Sequence, residues 1–297
     1  MKAEIIDGKK IAENLKVKIA NQVEEIKQKY NIIPTLAVIL VGQDHASEIY
    51  VSNKEKAAHK VGMNSLAYKL SSDIKEEELI AQIEALNHDE NVHGILVQLP
   101  LPKHINTNKV IHTIDPKKDV DGFNIINVGK LSIGEITGPN RALIPCTPKG
   151  CLHLIKDIIG EDLAGIDALV IGSSNIVGRP LARLLMLEKC TVTVANSSTK
   201  NLKEKTLSAQ LIISAAGVPA LIKADMVNRN AIIIDVGINR ITLNDGSSKV
   251  VGDVDFENVS KVVKHITPVP GGVGPMTIAY LLQNTLECCL LKLSKIN

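Results

Sequence analysis

A tyrosine and a lysine four positions apart are the first residues of this chain that could do chemistry together. They are Tyr50 and Lys54, which follow a short turn-like segment that ends at Asp44. Asp44 is a good candidate for a helix N-cap, and a helix over residues 51–58 would place side chains four positions apart on one face. A phenol beside an amine can position a substrate and transfer a proton. The same spacing also fits an ordinary amphipathic helix with a solvated lysine, so the rest of the chain must decide.

Gln98 stands where a parallel sheet binds its ligands, and a loop carboxylate, Asp121, is a further candidate. Gln98 follows the apolar run 94–97, and Asp121 lies in a turn-rich loop over residues 115–124. Ligands of α/β sheets sit beyond the carboxyl ends of the strands, and the helix that carries Tyr50 also begins beyond a strand end. Gln98 and that helix can therefore face the same crevice. A loop carboxylate such as Asp121 is more often solvated or capping, and taken alone it indicates no function.

Strands and helices alternate through the first half of the chain, as in an α/β unit whose helices cover a mostly parallel sheet. Apolar residues recur at helical spacing in residues 8–29, and short apolar runs indicate buried strands. In order, the sequence predicts a helix over 8–29, a strand over 36–41, the Tyr50 helix, a strand over 66–70, a helix over 74–86 opened by Ser72 or Asp73, and a strand over 94–97.

A second α/β pattern follows residues 127–145, which are rich in glycine and proline and are predicted to be a linker between two domains. We place the domain boundary in this linker, so that the first domain covers residues 1–140 and the second spans 141–276. The second pattern comprises a helix over 147–159 with Thr147 as N-cap and Pro148 at its first position, a helix ending at Leu187, and strands over 167–171, 191–194, 211–214 and 231–236.

A glycine-containing turn joins the strand over 167–171 to the next helix. It runs from Gly172 to Pro180 and includes Gly178. Small residues let a backbone approach a pyrophosphate, and the unpaired amides at a helix start meet the anion. The spacing is not Gly-x-Gly-x-x-Gly, so the turn alone is a weak fingerprint. Together with the repeated strand–helix alternation it predicts a nucleotide-binding sheet.

Three prolines and three glycines fall within the eleven residues 267–277. Such a segment is excluded from helix and central-strand interiors, so it is predicted to be a defined loop before a last helix over 277–293. The loop can be an interdomain hinge, a backbone platform against a flat ligand, or both.

The totals exclude several classes of protein. The 297 residues carry a net charge of +2 without a basic cluster, which argues against a nucleic-acid or membrane-surface partner. No apolar run approaches the roughly 20 residues of a membrane span, and no signal peptide begins the chain. We expect a cytoplasmic protein with reduced thiols, and neither disulfides nor a metal site, because the histidines and cysteines lack metal spacing. The cysteines are Cys146, Cys151, Cys190, Cys288 and Cys289.

Five motifs in one order make the chain resemble a known family, the bifunctional methylenetetrahydrofolate dehydrogenase/methenyltetrahydrofolate cyclohydrolases. The resemblance extends over nearly the full length. The motifs are Tyr50-Val51-x-x-Lys54, Val97-Gln98-Leu99-Pro100-Leu101-Pro102, Asp119-Val120-Asp121-Gly122, Gly172-x-Ser174-x-Ile176-Val177-Gly178-x-Pro180, and Pro268-Val269-Pro270-Gly271-Gly272-Val273-Gly274-Pro275-Met276-Thr277.

The resemblance implies two α/β domains with mostly parallel sheets, the second Rossmann-like, an active-site cleft between them, and a homodimer. It also implies that a C-terminal helix over 277–297 packs back on the first domain and completes it. It implies oxidation of 5,10-methylenetetrahydrofolate to the methenyl form with a nicotinamide cofactor. It also implies hydrolysis of that form to 10-formyltetrahydrofolate, within one-carbon metabolism and purine biosynthesis.

The resemblance also implies roles for individual residues. Lys54 would be the central catalytic residue, Gln98 its partner, Tyr50 a residue that packs on the folate, and Asp121 the group that binds the pterin edge. The remaining substrate-binding residues would be Val51, Val97, Leu99, Pro270, Gly271, Gly272, Val273 and Gly274. The cofactor-binding residues would be Gly172, Ser173, Ser174, Ile176, Val177, Ser197 and Ile238.

The chain departs from the family pattern around the cofactor. Ser173 stands where many members have arginine, and residues 195–199 lack the histidine or arginine that often holds a 2′-phosphate. The end of the strand over 191–194 also lacks the Asp or Glu that binds the ribose hydroxyls in typical NAD sites. Because Ser197, Asn196 and nearby Lys200 can still bind a phosphate, we expect NADP, with NAD as the alternative.

Three rival readings remain. A short-chain dehydrogenase also uses Tyr-x-x-x-Lys, but its glycine-rich turn precedes that pair, whereas here the order is reversed. A non-catalytic folate- or nucleotide-binding protein would have no need of all four proposed active-site residues, which are present. A dehydrogenase without cyclohydrolase activity is disfavoured by the presence of both Lys54 and Gln98, and assay must decide.

Overall fold

The computed structural model describes residues 2–242 and 246–294, and its contacts divide the chain into two units. We call Glu13–Cys146 with Ile278–Asn297 the first unit, and Met1–Ala12 with Thr147–Thr277 the second unit. The predicted domain limits, 1–140 with 277–297 and 141–276, remain a prediction. The sequence analysis did not anticipate that residues 1–12 group with the second unit.

Nine helices and strands lie within residues 2–145, before the second α/β pattern begins. Long apolar runs form the strands and amphipathic segments form the helices, as their periodicity requires. The elements are β1 (Glu4–Ile5), α1 (Gly8–Tyr30), β2 (Thr35–Val41), α2 (His45–Lys60), β3 (Asn64–Leu70), α3 (Glu76–His88), β4 (Gly94–Val97), α4 (Thr107–Thr113) and α5 (Ile125–Ile133).

The remaining elements repeat the alternation and add a short hairpin. They are α6 (Cys146–Ile159), β5 (Asp167–Ile171), α7 (Gly178–Leu187), β6 (Thr191–Ala195), α8 (Leu202–Ser208), β7 (Leu211–Ser214), a single 3₁₀ turn (Ala224–Met226), β8 (Ile232–Asp235), β9 (Asn239–Thr242), β10 (Ser248–Val251), α9 (Phe256–Val259), β11 (His265–Ile266) and α10 (Val273–Leu293).

A parallel sheet of order β3-β2-β4 forms the centre of the first unit. Every residue of β2 and of β4 is buried, which explains why both read as continuous apolar runs. In this register Ile39 of β2 lies opposite Val97 of β4. The carboxyl end of β4 therefore places Gln98 beside the carboxyl end of β2, where its backbone N–H donates to the Ile39 carbonyl at 2.8 Å.

The second unit contains a six-stranded parallel sheet of order β1-β11-β8-β7-β5-β6. Strands β7 and β8 are central, whereas β6 is an edge strand whose side chains are mostly exposed. The order reverses at β5, so that β6 and β7 both pair with it. Such a switch point, beyond the carboxyl ends of the strands, is where doubly wound sheets bind ligands.

The structure corrects four local predictions. Helix α3 begins at Glu76, with Lys75 at the N-cap position, and not at Ile74. Neither Ser72 nor Asp73 opens it; the Asp73 carboxylate instead accepts a hydrogen bond from the Ser71 hydroxyl. The predicted linker contains helix α5, which Asn124 caps by accepting a hydrogen bond from Ile126 N–H at 2.9 Å. The capping asparagine was the missed signal for that helix.

The other two corrections concern helix starts near proline. Helix α6 already includes Cys146, so Thr147 is not its N-cap, and the Thr147 hydroxyl instead lies 2.9 Å from that of Thr277. Helix α10 begins at Val273, four residues before the predicted start. Gly274 and Pro275 lie in its first turn, where proline costs no intrahelical hydrogen bond.

Candidate active site

Helix α2 is positioned by the predicted cap at Asp44. Its Oδ2 accepts hydrogen bonds from the backbone N–H and the hydroxyl of Ser47, both at 2.8 Å, which confirms the N-cap prediction. Val51 and Ala58 point into the core, with 1% and 0% of their surfaces exposed. Since the helix is anchored at its start and along this face, Tyr50 and Lys54 are held on a rigid element.

Lys54 and Gln98 are joined directly. Lys54 Nζ lies 2.9 Å from Gln98 Oε1, and Gln98 Nε2 donates to the Leu99 carbonyl at 2.7 Å. The second bond fixes which end of the amide faces the lysine, so an acceptor meets the amine. The structure thus brings together two of the predicted catalytic residues, which lie 44 positions apart in sequence.

Burial lowers the pKa of Lys54 below that of a free lysine, while the neighbouring Asp121 carboxylate acts in the opposite direction. Desolvation disfavours the ammonium form, and the neutral oxygen of Gln98 orients the amine without adding a compensating charge. Lys54 therefore has access to the neutral form that can take a proton from water.

Asp121 is the third predicted catalytic residue in this cluster. Burial raises its pKa to about 6; the charge of Lys54 favours the ionised form, and Asp119 opposes it. At neutral pH the carboxylate is therefore ionised but easily protonated. A half-buried carboxylate of this kind can accept two hydrogen bonds from a ligand that presents neighbouring N–H groups.

Asp119 anchors the loop that carries Asp121, a role the sequence analysis did not assign. It is 1% exposed and accepts hydrogen bonds from Asn124 N–H at 2.8 Å and from Asn127 Nδ2 at 2.9 Å. Burial raises its pKa, and these hydrogen bonds act against that shift. The alternation Asp-Val-Asp, with Val120 in the core, was the available signal.

Asn284 is a second positioning residue that the sequence analysis missed. It is fully buried, and its Nδ2 donates to the Val120 carbonyl at 2.8 Å and to the Ile144 carbonyl at 2.9 Å. Helix α10 is thereby fixed to the peptide that precedes Asp121. A lone asparagine among apolar residues of a helix was its only signal in the sequence.

The other predicted folate-binding residues of the first unit differ in exposure. Tyr50 is 40% exposed, Leu99 is half-buried, and Val51 and Val97 are core residues at 1% and 4% exposure. Tyr50 is thus available to a ligand, while the two valines support the elements that carry Lys54 and Gln98. Their contacts with a substrate stay a prediction.

The glycine turn of the second unit is built for a close approach of backbones. Gly172 has φ +113°, and a Cβ there would lie 2.2 Å from the Ala215 carbonyl oxygen; a Cβ on Gly178 would lie 1.8 Å from the Gly172 oxygen. No side chain caps the start of α7. Within the first turn, Arg179 N–H donates to the Ser174 carbonyl at 3.1 Å and Pro180 has no N–H, so Gly178 carries the helix-start amide that the nucleotide-binding prediction would use.

The predicted cofactor residues surround this turn and the neighbouring strand ends. Ser174, Ile176, Ser197 and Ile238 are exposed, and Ser173 and Val177 are half-buried. Asn196 follows β6 and accepts from Ser198 N–H at 2.9 Å, which shapes the turn that presents Ser197.

Two buried carboxylates organise the loops after β7 and β8, and neither was predicted. Asp253 is fully buried, and its carboxylate accepts hydrogen bonds from the backbone N–H groups of Ala216, Gly217 and Val218 at 2.7, 3.1 and 3.0 Å. Asp235 accepts from Asp253 N–H at 3.0 Å, and burial raises the pKa of Asp235 to about 6. Together they fix the strand ends nearest the predicted nucleotide site.

The loop before α10 lies in the second unit. Gly272 N–H donates to the Pro268 carbonyl at 2.9 Å, and the Gly271 carbonyl accepts from Lys9 N–H at 2.9 Å. These bonds give Pro270, Gly271 and Gly272 a defined backbone, as the composition predicts. Val273 and Gly274 belong to the first turn of α10.

Comparison with known proteins identifies the family. Residues 6–121 match the catalytic domain of tetrahydrofolate dehydrogenase/cyclohydrolase, and residues 145–293 match its NAD(P)-binding domain. The bifunctional protein FolD of Paramagnetospirillum magneticum is 54% identical over 287 residues, covering 97% of this chain and 95% of the relative. This chain belongs to the tetrahydrofolate dehydrogenase/cyclohydrolase family.

Solved structures of this family agree over the whole chain. The bifunctional FolD methylenetetrahydrofolate dehydrogenase/cyclohydrolase of Campylobacter jejuni has a TM-score of 0.92 and 48% identity, covering 98% of this chain and 99% of that one. FolD of Trypanosoma brucei, solved with NADP cofactor and an inhibitor, has a TM-score of 0.91 and 34% identity, covering 99% of each chain.

Family membership confirms the predicted resemblance, the two α/β domains and the bifunctional folate enzyme. It also confirms that the second domain binds NAD(P). A nicotinamide dinucleotide fits the residues present, because glycine at positions 172 and 178 lets the backbone segments of the turn pack directly against one another, as in the tight turn of a pyrophosphate-binding site.

Two observations bear on metal and membrane. Within residues 2–242 and 246–294, no group of three or more His, Cys, Asp or Glu side chains could hold a metal ion. No helix in that part of the chain is long and apolar enough to cross a membrane. The five cysteines are buried, and none of them is in a disulfide bond.

Proposed function

We propose that this chain oxidises 5,10-methylenetetrahydrofolate to the methenyl form with NADP⁺ and hydrolyses that cation to 10-formyltetrahydrofolate, with Lys54 as the central catalytic residue. The observation that carries the proposal is the 2.9 Å contact between Lys54 Nζ and Gln98 Oε1 beside Asp121. An amine with a lowered pKa, held by a neutral acceptor next to a ligand-binding carboxylate, suits a reaction that adds water to a cation.

The hydrolytic step needs a base and then an acid at one place. Neutral Lys54 takes a proton from the water whose oxygen bonds to the methenyl carbon. The resulting ammonium then donates a proton to the ring nitrogen as its bond to that carbon breaks, and the hydroxyl proton passes to solvent as the C=O bond of the formyl group forms on the other nitrogen. A cationic substrate favours the neutral amine before the step, because like charges in one site lower the pKa of a lysine.

The oxidative step transfers a hydride from the methylene carbon, and NADP supplies the acceptor when bound. This chain contributes alignment: Asp121 would bind the pterin edge through two hydrogen bonds, and Tyr50 would pack on the folate. The same proposal assigns further contacts with the folate to Val51, Val97, Leu99, Pro270, Gly271, Gly272, Val273 and Gly274.

The choice of NADP over NAD rests on the turn after β6. Residues 195–200 contain no carboxylate to hold a free ribose, whereas the exposed Ser197 and Lys200 can bind a 2′-phosphate. Steady-state rates with each nicotinamide test this choice. Lys200→Gln should raise KM for NADP and leave KM for NAD unchanged, and a clear preference of the parent enzyme for NAD would overturn it.

One assay tests the whole function. Methylenetetrahydrofolate and NADP⁺ are added to the enzyme, and absorbance follows the methenyl form. We expect it to rise and then decay faster than in a buffer blank. No nicotinamide-dependent rise would refute the dehydrogenase assignment, and accumulation with decay only at the blank rate would establish a single-activity dehydrogenase.

We further propose a cytoplasmic homodimer that serves one-carbon metabolism and purine biosynthesis, with domains 1–140 plus 277–297 and 141–276. Five cysteines outside any disulfide favour a reducing compartment. The edge strand β6, with Val194 42% exposed, offers unpaired backbone to a second copy. Light scattering at several concentrations tests the dimer, and a concentration-independent monomer would exclude it.

A further inference from the structure

A cavity of about 210 Å³ lies in the first unit, away from Lys54 and Gln98. Its wall includes His93, which immediately precedes β4, whereas Gln98 follows that strand. A four-residue strand separates the two positions by roughly 15 Å, at about 3.3 Å per residue. None of the residues assigned above to the folate or the cofactor lines this cavity. It is therefore a separate feature of the unit.

His93 provides a buried hydrogen-bond donor in the cavity wall. It is 5% exposed, and its Nδ1 accepts a hydrogen bond from Thr35 N–H at 3.2 Å. Burial lowers the pKa of His93 to about 4, so the ring is neutral at pH 7 and its single proton lies on Nε2. Because the two ring nitrogens point in nearly opposite directions, this N–H faces away from Thr35. Within the described part of the chain it meets no acceptor.

The charges around His93 favour an anion. Four cationic and two anionic side chains line the cavity, the cations being Lys117, Lys118, Arg141 and Lys292. Lys118 is fixed in place, since its Nζ donates to the carbonyls of Leu86, Asn87 and Asp89 at 3.1, 2.8 and 2.8 Å. A positive charge that is already held by the protein costs no reorganisation when an anion binds.

The rest of the wall is mixed, with Asn87 and Asn140 beside apolar side chains. Val92 and Leu143 are buried, and Leu291 and Cys288 of α10 complete this surface. A partly apolar wall with a few polar groups and a net positive lining is typical of sites for small organic acids. We propose that this cavity binds a small organic anion, a carboxylate or monophosphate on an apolar body, whose oxygen accepts the hydrogen bond of His93 Nε2–H.

Calorimetric titration of the enzyme saturated with NADP and tetrahydrofolate tests the proposal, because the folate and cofactor sites are then occupied. Phenyl phosphate and benzoate are the two anionic probes, and benzyl alcohol is the neutral one. Direct substitution of His93 would break its bond to Thr35, so the test uses Lys117→Gln and Lys292→Gln. Lys109→Gln is the matched control, since Lys109 pairs with Glu76 outside the cavity as Lys292 pairs with Glu90.

We expect saturable binding of at least one anion and none of benzyl alcohol, and the stronger anion identifies phosphate or carboxylate as the preferred group. Each cavity variant should weaken binding by roughly five- to tenfold, as for the loss of a partly screened charge-assisted contact. Lys109→Gln should change it less than about twofold. Absence of saturable binding, equal binding of benzyl alcohol, or an equal effect of Lys109→Gln would overturn the proposal.

Discussion

Lys54 Nζ lies 2.9 Å from Oε1 of Gln98, and the other end of that amide is held by the Leu99 carbonyl at 2.7 Å. The lysine therefore meets a neutral acceptor of fixed orientation, close to the carboxylate of Asp121. This arrangement holds the amine in position without a directly bonded anion that would keep it charged.

Replacing Lys54 by methionine should nearly abolish hydrolysis of the methenyl form. Methionine keeps the length of the side chain but can neither take nor give a proton, and proton transfer of this kind contributes roughly 10²–10⁴-fold to rate. The decay of methenyl absorbance measures the effect. Lys56→Met, an exposed lysine on the same helix, is the control and should retain the parent rate. Near-normal ring opening by Lys54→Met would refute the assignment.

Replacing Gln98 by glutamate should move the pH profile of hydrolysis toward higher pH. A carboxylate in contact with Lys54 favours the ammonium form and raises its pKa, typically by about 1–3 units. The rate at pH 7 should fall and recover as the pH rises, after subtraction of the buffer rate. Gln98→Met removes the acceptor without adding charge, so it should lower the rate without an alkaline shift. An unshifted profile for Gln98→Glu would show that Lys54 is not the titrating group.

We expect the Asp121 carboxylate to be needed for folate binding and to lower the free energy of unfolding at neutral pH. Its folded pKa of about 6 exceeds the roughly 3.9 of an unfolded aspartate, so the folded state binds the proton more tightly. The free energy of unfolding therefore falls as the pH rises from about 4 to above 6. Asp121→Asn removes this loss and should increase stability at pH 7 by about 1–2 kcal/mol, a value reduced because the group is only half-buried.

The same variant should bind folate at least about tenfold more weakly, since a neutral amide offers one acceptor where the carboxylate offers two. Chemical denaturation between pH 4 and 8 and substrate titration measure the two effects. Asp157→Asn, an exposed carboxylate, is the control for both. Unchanged folate affinity, or stability at pH 7 below that of the parent, would contradict the prediction.

Asp253 should act on the oxidation alone. Asp253→Asn places an N–H group against the backbone donors of Ala216, Gly217 and Val218, so the loop after β7 loses its shape. Each hydrogen bond to a charged group is worth about 1.5–3 kcal/mol, and KM for NADP should rise roughly tenfold or more.

Hydrolysis of the methenyl form reports whether that variant is folded, because Lys54, Gln98 and Asp121 lie in the first unit. The hydrolysis rate of Asp253→Asn should stay within about threefold of the parent rate, which is a much smaller change than the loss of a catalytic group would cause. Asp255→Asn is the matched control, since the Asp255 carboxylate accepts hydrogen bonds from Asn258 at the start of the short helix α9 and not from the loop after β7. A folded Asp253→Asn enzyme with an unchanged KM for NADP would exclude the positioning role.

Local features of the chain were predictable from the sequence because their causes are local. Asp44 caps α2 through a residue three positions away, and the buried strands β2 and β4 appear as uninterrupted apolar runs. Neighbouring residues determine such caps and strands. The order of five motifs then identified the family, which the comparisons confirm.

Long-range relationships were decided only by the tertiary structure. Gln98 meets Lys54 across 44 positions, and Asn284 reaches the Val120 carbonyl across 164. Asp253 binds the loop after β7 from 35 or more positions away, and His93 acquires its cavity from four separate segments. No local periodicity encodes such contacts, since they depend on how strands and helices pack after each has formed. The sequence by itself determined which elements form and which family they belong to; packing determined which polar groups those elements bring together.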